Sequence, residues 1–158
     1  MGDRVKIIFV ITAILIFSGI GFEQIAFSQL SIHGGSGGGG GGLIRPIEID
    51  IKPGNELNPI QPKNMGVVPV AILSSITFSV STVDFSTVAF GPNDATPVHK
   101  MPHFEDVNND GLVDMVLHFK TKEIGIEAQT IQLCLTAKTL DGILTLLGCD
   151  SIVVVPKN

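Results

Sequence analysis

Oxygen-bearing side chains occupy every second position at the start of a short acidic segment, which continues through a glycine to a further aspartate. Carboxylate, amide and carbonyl oxygens are the ligands that Ca²⁺ prefers, and a glycine at the sixth position of such a loop permits a sharp turn around the ion. The spacing therefore predicts a calcium-binding loop. Its predicted ligands are the side chains of Asp106, Asn108, Asp110 and Asp114 and the backbone carbonyl of Leu112.

The loop differs from an EF-hand at its twelfth position, where Leu117 replaces the glutamate that binds calcium with both carboxylate oxygens. In the following residues, Met115, Leu117 and Phe119 alternate with Val116 and His118, as in a β-strand. The sequence therefore predicts a calcium loop between strands, without the helix-opening switch of calcium sensors. A metal-free Asn-Asp-Gly turn that closes a hairpin is the alternative.

Three histidines near this loop in the chain form a second group with metal-ligating chemistry: His99, His103 and His118. Together with Glu105, they offer imidazole nitrogen and carboxylate oxygen to a zinc ion. The His-x3-His spacing brings two imidazoles together on a helix, but Pro102 interrupts that spacing and strands are expected here. The alternative is that His118, on the polar face of its strand, is solvated or hydrogen-bonded to a carboxylate.

Recognisable catalytic motifs do not accompany these residues. The sequence has no His-Glu-x-x-His pair, and neither cysteine stands beside a histidine in a catalytic pattern. We therefore expect a protein without enzymatic activity. A metal-dependent hydrolase that uses His99, His103 and Glu105 is the least favoured of the functional hypotheses.

The segments that must position these groups have the pattern of short β-strands. In residues 47–51, isoleucine alternates with charged residues, which is typical of a strand with one buried face. Residues 67–73 are apolar at nearly every position, as in a strand covered on both sides, although Pro69 removes one backbone donor. Further strands are predicted at residues 77–83, 87–90, 114–120, 131–139, 143–147 and 151–155.

The connections between these segments favour an all-β fold. No window carries a sustained apolar repeat of 3.6 residues with helix caps. Short strands separated by Gly, Pro and Asn are typical of an antiparallel β-sandwich, Ig-like or Greek-key in topology. We therefore expect one domain over residues 43–158, an antiparallel β-sandwich with an inserted calcium-binding loop.

The two cysteines fall on opposite sides of a predicted hairpin turn. If Asp141 and Gly142 form a two-residue turn, counting outward along both strands places Cys134 opposite Cys149. Opposed residues on one face of a sheet have about the Cα separation that a disulfide needs. The sequence thus predicts a disulfide, with two free thiols as the alternative if Gly148 breaks the register.

The N-terminal sequence is typical of an export signal: two basic residues, an apolar run at residues 7–22, and small side chains at Ala26 and Ser28. We expect residues 1–28 to be a cleaved signal peptide and residues 29–42 a flexible glycine-rich linker. The mature chain is then secreted or held at the cell surface. An uncleaved membrane anchor is the alternative, because the apolar run is nearly long enough to span a bilayer.

Charge and aromatic content narrow the class of partner. The formal net charge is −5 and the few lysines are scattered, so a nucleic-acid-binding surface is not expected. The chain has no Trp and no Tyr, the usual platforms for sugar rings, although Phe substitutes in part. We expect an extracellular protein or glycan as partner, and membrane contact only if the N-terminal segment stays uncleaved. A carbohydrate-binding module with a phenylalanine-lined groove on the solvent side of one sheet is the alternative function.

Several motifs in the chain resemble an uncharacterised domain that recurs in secreted proteins of bacteria and archaea. They include IDIKPG from Ile49, NPIQPKNMGVVPVAIL from Asn58 and EDVNNDGLVDMVLHF from Glu105. The similarity covers residues 47–155, and the aspartate loop is its most specific part. This resemblance implies a β-rich, calcium-loaded extracellular accessory module without a settled activity. The resulting hypothesis is a secreted or surface-exposed calcium-binding β-sandwich with a structural or interaction role.

Overall fold

The computed structural model describes residues 43–156, which fold into ten β-strands and two short 3₁₀ helices. No α-helix occurs within these residues, and no helix there is long and apolar enough to cross a membrane. The predicted all-β class is therefore confirmed. The strands are β1 (Leu43–Pro46), β2 (Ile49–Ile51), β3 (Pro59–Ile60), β4 (Val67–Ile72), β5 (Val83–Phe90), β6 (His103–Glu105), β7 (Asp114–Lys120), β8 (Gln132–Thr139), β9 (Leu144–Ser151) and β10 (Val153–Val154). The predicted signal peptide and glycine-rich linker lie outside the described residues.

Two four-stranded sheets contain most of the strands. The first sheet has the order β1-β9-β8-β5, in which β8 pairs antiparallel with β5 and β9, and β1 lies parallel to β9 at the edge. The second sheet has the order β2-β4-β7-β6 and is antiparallel throughout. The two-residue strands β3 and β10 form a separate parallel pair. The predicted antiparallel pairing thus holds in both sheets, with the edge strand β1 as the exception.

The two sheets share one hydrophobic core. Along β7, the side chains of Met115, Leu117 and Phe119 belong to this core and are at most 2 % exposed. The ring centroid of Phe119 lies 4.8 Å from that of Phe90, which belongs to β5 in the other sheet, and both residues are fully buried. The predicted alternation of β7 is confirmed, and it directs His118 to the face opposite the core.

The strand predicted at residues 77–83 is wrong over most of its length. Val80–Thr82 forms a 3₁₀ helix instead, and the hydroxyl of Ser79 caps it by accepting a hydrogen bond from the backbone N–H of Ser81. Serine hydroxyls compete in this way with the ladder hydrogen bonds of a sheet. The apolar residues of this segment, including Phe78, pack into the core without forming a strand.

Strand boundaries also differ from the sequence pattern near the N-terminal end of the domain. The strand predicted at residues 47–51 begins only at Ile49. Ile47 packs against the core, but its backbone N–H donates to the carbonyl of Leu147 in β9, at 3.0 Å. The strands β3 and β6 are not predicted from the sequence, because two or three residues are too few to show a period.

The β8–β9 hairpin carries the disulfide. Cys134 pairs with Cys149 in the antiparallel register, and their sulfur atoms are bonded at 2.11 Å. The predicted disulfide and its register are confirmed. The loop, however, has four residues, 140–143, instead of two, and Gly142 donates its N–H to the carbonyl of Thr139, at 2.8 Å. The register is the same in both cases because both loops are centred on the same Asp-Gly pair.

Candidate functional site

The acidic loop, residues 106–114, leads from the short strand β6 into the longer strand β7. The two strands are antiparallel neighbours, and Glu105 lies directly opposite Asp114 in their register. Since the sheet holds both ends together, the residues between them must turn back on themselves. Asn109 and Gly111 do so with positive φ angles of 61° and 86°. Glycine adopts that region without strain, which explains its place at the sixth loop position.

Three predicted ligands in the first half of the acidic loop direct oxygen atoms at the loop's own backbone. The carboxylate of Asp106 accepts hydrogen bonds from the N–H groups of Asp110, at 3.1 Å, and Gly111, at 2.9 Å. Asp110 Oδ1 accepts from the N–H of Leu112, at 2.8 Å. The side chain of Asn108 donates to Asp110 Oδ2 at 3.1 Å and accepts from the N–H of Asp110 at 3.0 Å. These bonds bring the three side chains together.

Asp114 differs from the other predicted ligands because it is completely buried, at 0 % exposure. Its Oδ1 accepts a hydrogen bond from the backbone N–H of Ser74, at 2.8 Å, and its Oδ2 accepts one from Val107, at 3.1 Å. The hydroxyl of Ser74 in turn donates to the carbonyl of Val113, at 2.6 Å. Asp114 thus connects the acidic loop to the chain just after β4. Each carboxylate oxygen has two lone pairs, so these bonds leave acceptor capacity for a cation.

The structure also assembles a group of ligands that the acidic spacing does not include. Within residues 43–156, the ligand atoms of His99, His103 and His118 lie within 4.8 Å of one another, and we call these residues the histidine cluster. The three aspartates of the acidic loop do not form such a group among these residues. Calcium binding at the acidic loop therefore requires its exposed carboxylates to move closer to the buried carboxylate of Asp114.

Strand pairing and one loop hydrogen bond position the histidine cluster. His103 in β6 lies opposite Val116 in β7, and His118 follows two residues later on the same face. His99 belongs to the connection before β6, where the neighbouring Val98 donates its backbone N–H to the carbonyl of His118, at 2.9 Å. The three imidazoles therefore meet on β7 although they come from separate segments of the chain.

The imidazole rings of the cluster form a nearly regular triangle. Their centroids are 5.4 Å, 5.6 Å and 5.7 Å apart, and the ring planes cross at 81° to 89°. His99 and His103 are exposed, whereas His118 is half-buried. Because the rings do not stack face to face, their nitrogen-bearing edges remain available to a shared ion.

The surroundings of His118 favour its neutral form. Burial lowers the pKa of His118, and the nearby imidazoles of His99 and His103 lower it further, while the carboxylate of Glu105 acts in the opposite direction. Its Nδ1 atom is buried and has no hydrogen-bond partner among the described residues. A neutral imidazole has a lone pair that can bind a metal, so His118 is the ligand of the cluster that is best prepared for coordination.

The predicted group of His99, His103 and Glu105 is assembled only in part. Glu105 lies two residues beyond His103 in β6 and is not among the three side chains whose ligand atoms converge. The sequence argued against a zinc site here because His-x3-His spacing brings two histidines together only on a helix. Here the third histidine, His118, supplies the shared neighbour across the β6–β7 pairing, which the sequence pattern of β6 is too short to reveal.

A cavity of about 250 Å³ beside the acidic loop bears on the carbohydrate-binding hypothesis. Its lining includes Phe78, Phe104, Leu112 and Val113. Phe104 is 54 % exposed, and its partner across the strand pairing is Met115, a residue of the core face. The exposed ring therefore lies at the edge of the second sheet and not in a groove on its solvent face.

Comparison of the chain with protein-family models, curated proteins and solved structures finds no match. The resemblance to secreted calcium-loop domains stays a prediction from the motifs. The acidic loop and the histidine cluster are therefore interpreted from their own chemistry.

Proposed function

We propose that the chain is an exported β-sandwich module in which the acidic loop binds one Ca²⁺ ion, with a structural or interaction role and no catalytic activity. The observation that supports this proposal most directly is the buried carboxylate of Asp114. It joins the end of the acidic loop to Ser74, just after β4. An ion bound in the loop would therefore restrain three neighbouring strands of the second sheet at once.

Charge provides the reason for the loop to take up a cation. Asp106, Asp110 and Asp114 lie within nine consecutive residues that contain no basic side chain. Like charges drawn together around one site repel one another, and a hard divalent cation removes that repulsion. Extracellular calcium modules bind at about 10⁻⁴ to 10⁻³ M, so millimolar calcium would add about 0.4 to 1.4 kcal/mol to the free energy of unfolding.

The arrangement of the sheets supports a sandwich. Both four-stranded sheets contribute to one core, and Phe90 and Phe119 make contact from opposite sheets. The chain crosses repeatedly between the sheets: β4 belongs to the second, β5 to the first, β6 and β7 to the second, and β8 and β9 to the first. Such crossings are typical of Greek-key sandwiches, including Ig-like domains, and we assign the chain to this architecture.

The disulfide supports export. Disulfides persist outside the reducing cytosol, and the bond between Cys134 and Cys149 agrees with the signal peptide predicted at residues 1–28. The proposed partner is an extracellular protein or glycan. The glycine-rich segment at residues 29–42 would keep the module clear of any N-terminal attachment.

Thermal unfolding in excess calcium and in chelator tests this proposal. Wild-type protein should melt a few degrees higher in calcium, and magnesium should have a smaller effect because it demands a tighter octahedral shell. Asp110→Ala should lose most of the calcium response, since it removes one ligand and leaves Gly111 to form the turn. Glu56→Ala is the matched control, because it removes one exposed negative charge outside the acidic loop.

Two results would contradict calcium binding at the acidic loop. One is an identical melting temperature of the wild-type protein in calcium and in chelator. The other is a full calcium response in Asp110→Ala. Either result would leave residues 106–114 as a metal-free turn.

Carbohydrate binding is the second candidate function, and the cavity next to the acidic loop is the observation that favours it. Phe104 offers an exposed aromatic face there. Glycan-array binding that is lost in Phe104→Ala and retained in Leu140→Ala, an exposed apolar residue of the β8–β9 loop, would support this candidate. The hydrolase hypothesis depends on metal binding by His99 and His103, and turnover of a substrate by the metal-loaded protein would be needed to support it.

A further inference from the structure

We propose that His99, His103 and His118 form a second metal site, chemically distinct from the acidic loop, that binds a first-row divalent transition metal such as Zn²⁺. This site goes beyond the proposed calcium function, because it uses nitrogen ligands from three segments in place of oxygen ligands from one loop.

The distances within the cluster suit a small ion after a modest closure. Nitrogen ligands at a Zn–N distance of about 2.0–2.1 Å lie about 3.4 Å from one another around a tetrahedral ion. The ligand atoms of the three histidines already lie within 4.8 Å of one another. Since His99 and His103 are exposed, they can rotate to close this gap. His118, set in the middle of the second sheet, provides the rigid member of the group.

The unpartnered nitrogen of His118 is an independent sign of a ligand. Its Nδ1 is buried and makes no hydrogen bond within the described part of the chain. Buried polar atoms without partners are uncommon in folded proteins, and a bound ion is one of the partners that can account for such an atom. A metal bond to this nitrogen would satisfy it without changing the path of β7.

The immediate charges also favour a metal over protons. Three protonated imidazoles at centroid distances of 5.4 Å to 5.7 Å would repel one another, with Glu105 as the acidic neighbour that affects His118. When three neutral imidazoles share one divalent ion, the positive charge lies on the ion at the centre of the group, and the rings do not repel one another as charged groups.

The ligand set determines which class of metal ion the site prefers. Imidazole suits zinc, copper and nickel, whereas calcium and magnesium prefer oxygen. Three protein ligands would leave one position of a tetrahedral ion for water or for a donor from a partner. The proposed site would therefore keep one open coordination position, whereas structural zinc sites have four protein ligands.

Metal titration of the exported, disulfide-bonded protein tests the proposal. Zn²⁺ should bind with a stoichiometry of one in competition with a chromogenic chelator. Co²⁺ should give the intense visible absorption of a four- or five-coordinate complex. His118→Ala and His103→Gln should each weaken zinc binding by at least about tenfold, since loss of even an outer-shell partner has that effect at known sites. His33→Ala, at a position in the glycine-rich linker predicted from the sequence, is the matched control.

The two metal sites can be separated in the same experiment. Asp110→Ala should leave zinc affinity unchanged, and His103→Gln should leave the calcium response unchanged. Unaltered zinc affinity in His103→Gln would overturn the proposal, as would the absence of stoichiometric zinc binding to the wild-type chain. His103 is exposed, so its substitution remains informative even if His118→Ala fails to fold.

Discussion

The β8–β9 and β6–β7 hairpins are built in opposite ways. In β8–β9, two eight-residue strands are joined by a four-residue loop and by the disulfide between Cys134 and Cys149. In β6–β7, a three-residue strand pairs with a seven-residue strand, and the connection is the acidic loop. Ladder bonds and a covalent bond stabilise the first hairpin from within. The second has only three paired residues on β6, and no covalent bond joins its strands.

This difference agrees with where the two candidate cation sites occur. The acidic loop and two members of the histidine cluster, His103 and His118, lie on the β6–β7 hairpin, and the cluster places three imidazoles together that repel one another when charged. A hairpin with little internal stability gains most from a bound ion, whereas the disulfide-linked hairpin has no such need. We therefore expect covalent and backbone effects to be largest, and metal and charge effects to be smaller.

Removal of the disulfide should have the largest effect. Replacing Cys134 and Cys149 with serine frees a loop with a sequence separation of 15 residues, which corresponds to about 3 kcal/mol in the chain-entropy model. Urea unfolding of the double variant and of wild type measures the loss. Calcium and zinc affinities should stay the same, because both candidate sites are in the other sheet. A change in either affinity would show that the two hairpins are coupled.

Asp114→Ala should have the second-largest effect, a loss of about 2 to 3 kcal/mol in the free energy of unfolding. This loss should be present even in chelator. The substitution leaves the partly buried backbone N–H groups of Ser74 and Val107 without their acceptor. Asp110→Ala provides the comparison within the same loop, because Asp110 is exposed and should cost only about 0.5 kcal/mol without calcium. Equal losses for the two variants would contradict the structural role assigned to Asp114.

Zinc should stabilise the wild-type protein by about 1.4 kcal/mol at a concentration tenfold above its dissociation constant, as expected for binding to the folded state alone. Denaturant unfolding at matched zinc concentrations gives this value. At the same zinc concentration, His103→Gln should keep no more than about 0.4 kcal/mol of the stabilisation, while its unfolding in chelator stays close to that of wild type. A zinc effect of full size in this variant would assign it to residues outside the histidine cluster.

Asp50→Asn should give the smallest effect, a gain of less than about 1 kcal/mol at neutral pH, as is usual for solvent-screened charges. Burial and the neighbouring Asp150 raise the pKa of Asp50. The folded state therefore favours protonated Asp50, and its charged form destabilises the fold at pH values above its raised pKa. The advantage of the variant should fade as the pH falls through that pKa and vanish below the ordinary value of 3.8.

Unfolding of both proteins across this pH range checks the sign of the prediction. The prediction also concerns the junction of the two sheets. Asp150 in β9 accepts a hydrogen bond there from the backbone N–H of Ile51 in β2, at 2.9 Å. A variant that is less stable than wild type at neutral pH would mean that the charge of Asp50 supports this junction instead of opposing it.

Features that depend on neighbouring residues can be read from the sequence. The alternation that directs Leu117 into the core and His118 to the opposite face of β7 is a period of two, and it is readable without the fold. The pairing of Cys134 with Cys149 follows from counting outward from one Asp-Gly turn. The composition of the acidic loop is also local, since all its predicted ligands lie within nine residues.

Features that join distant segments follow only from the fold. Ser74 donates its backbone N–H to the carboxylate of Asp114, forty residues further along the chain. The histidine cluster needs the register of β6, a strand of three residues, and the hydrogen bond from Val98 to His118. Neither has a period or a spacing in the sequence, because such contacts follow from how the strands pair and not from the order of residues along any one of them.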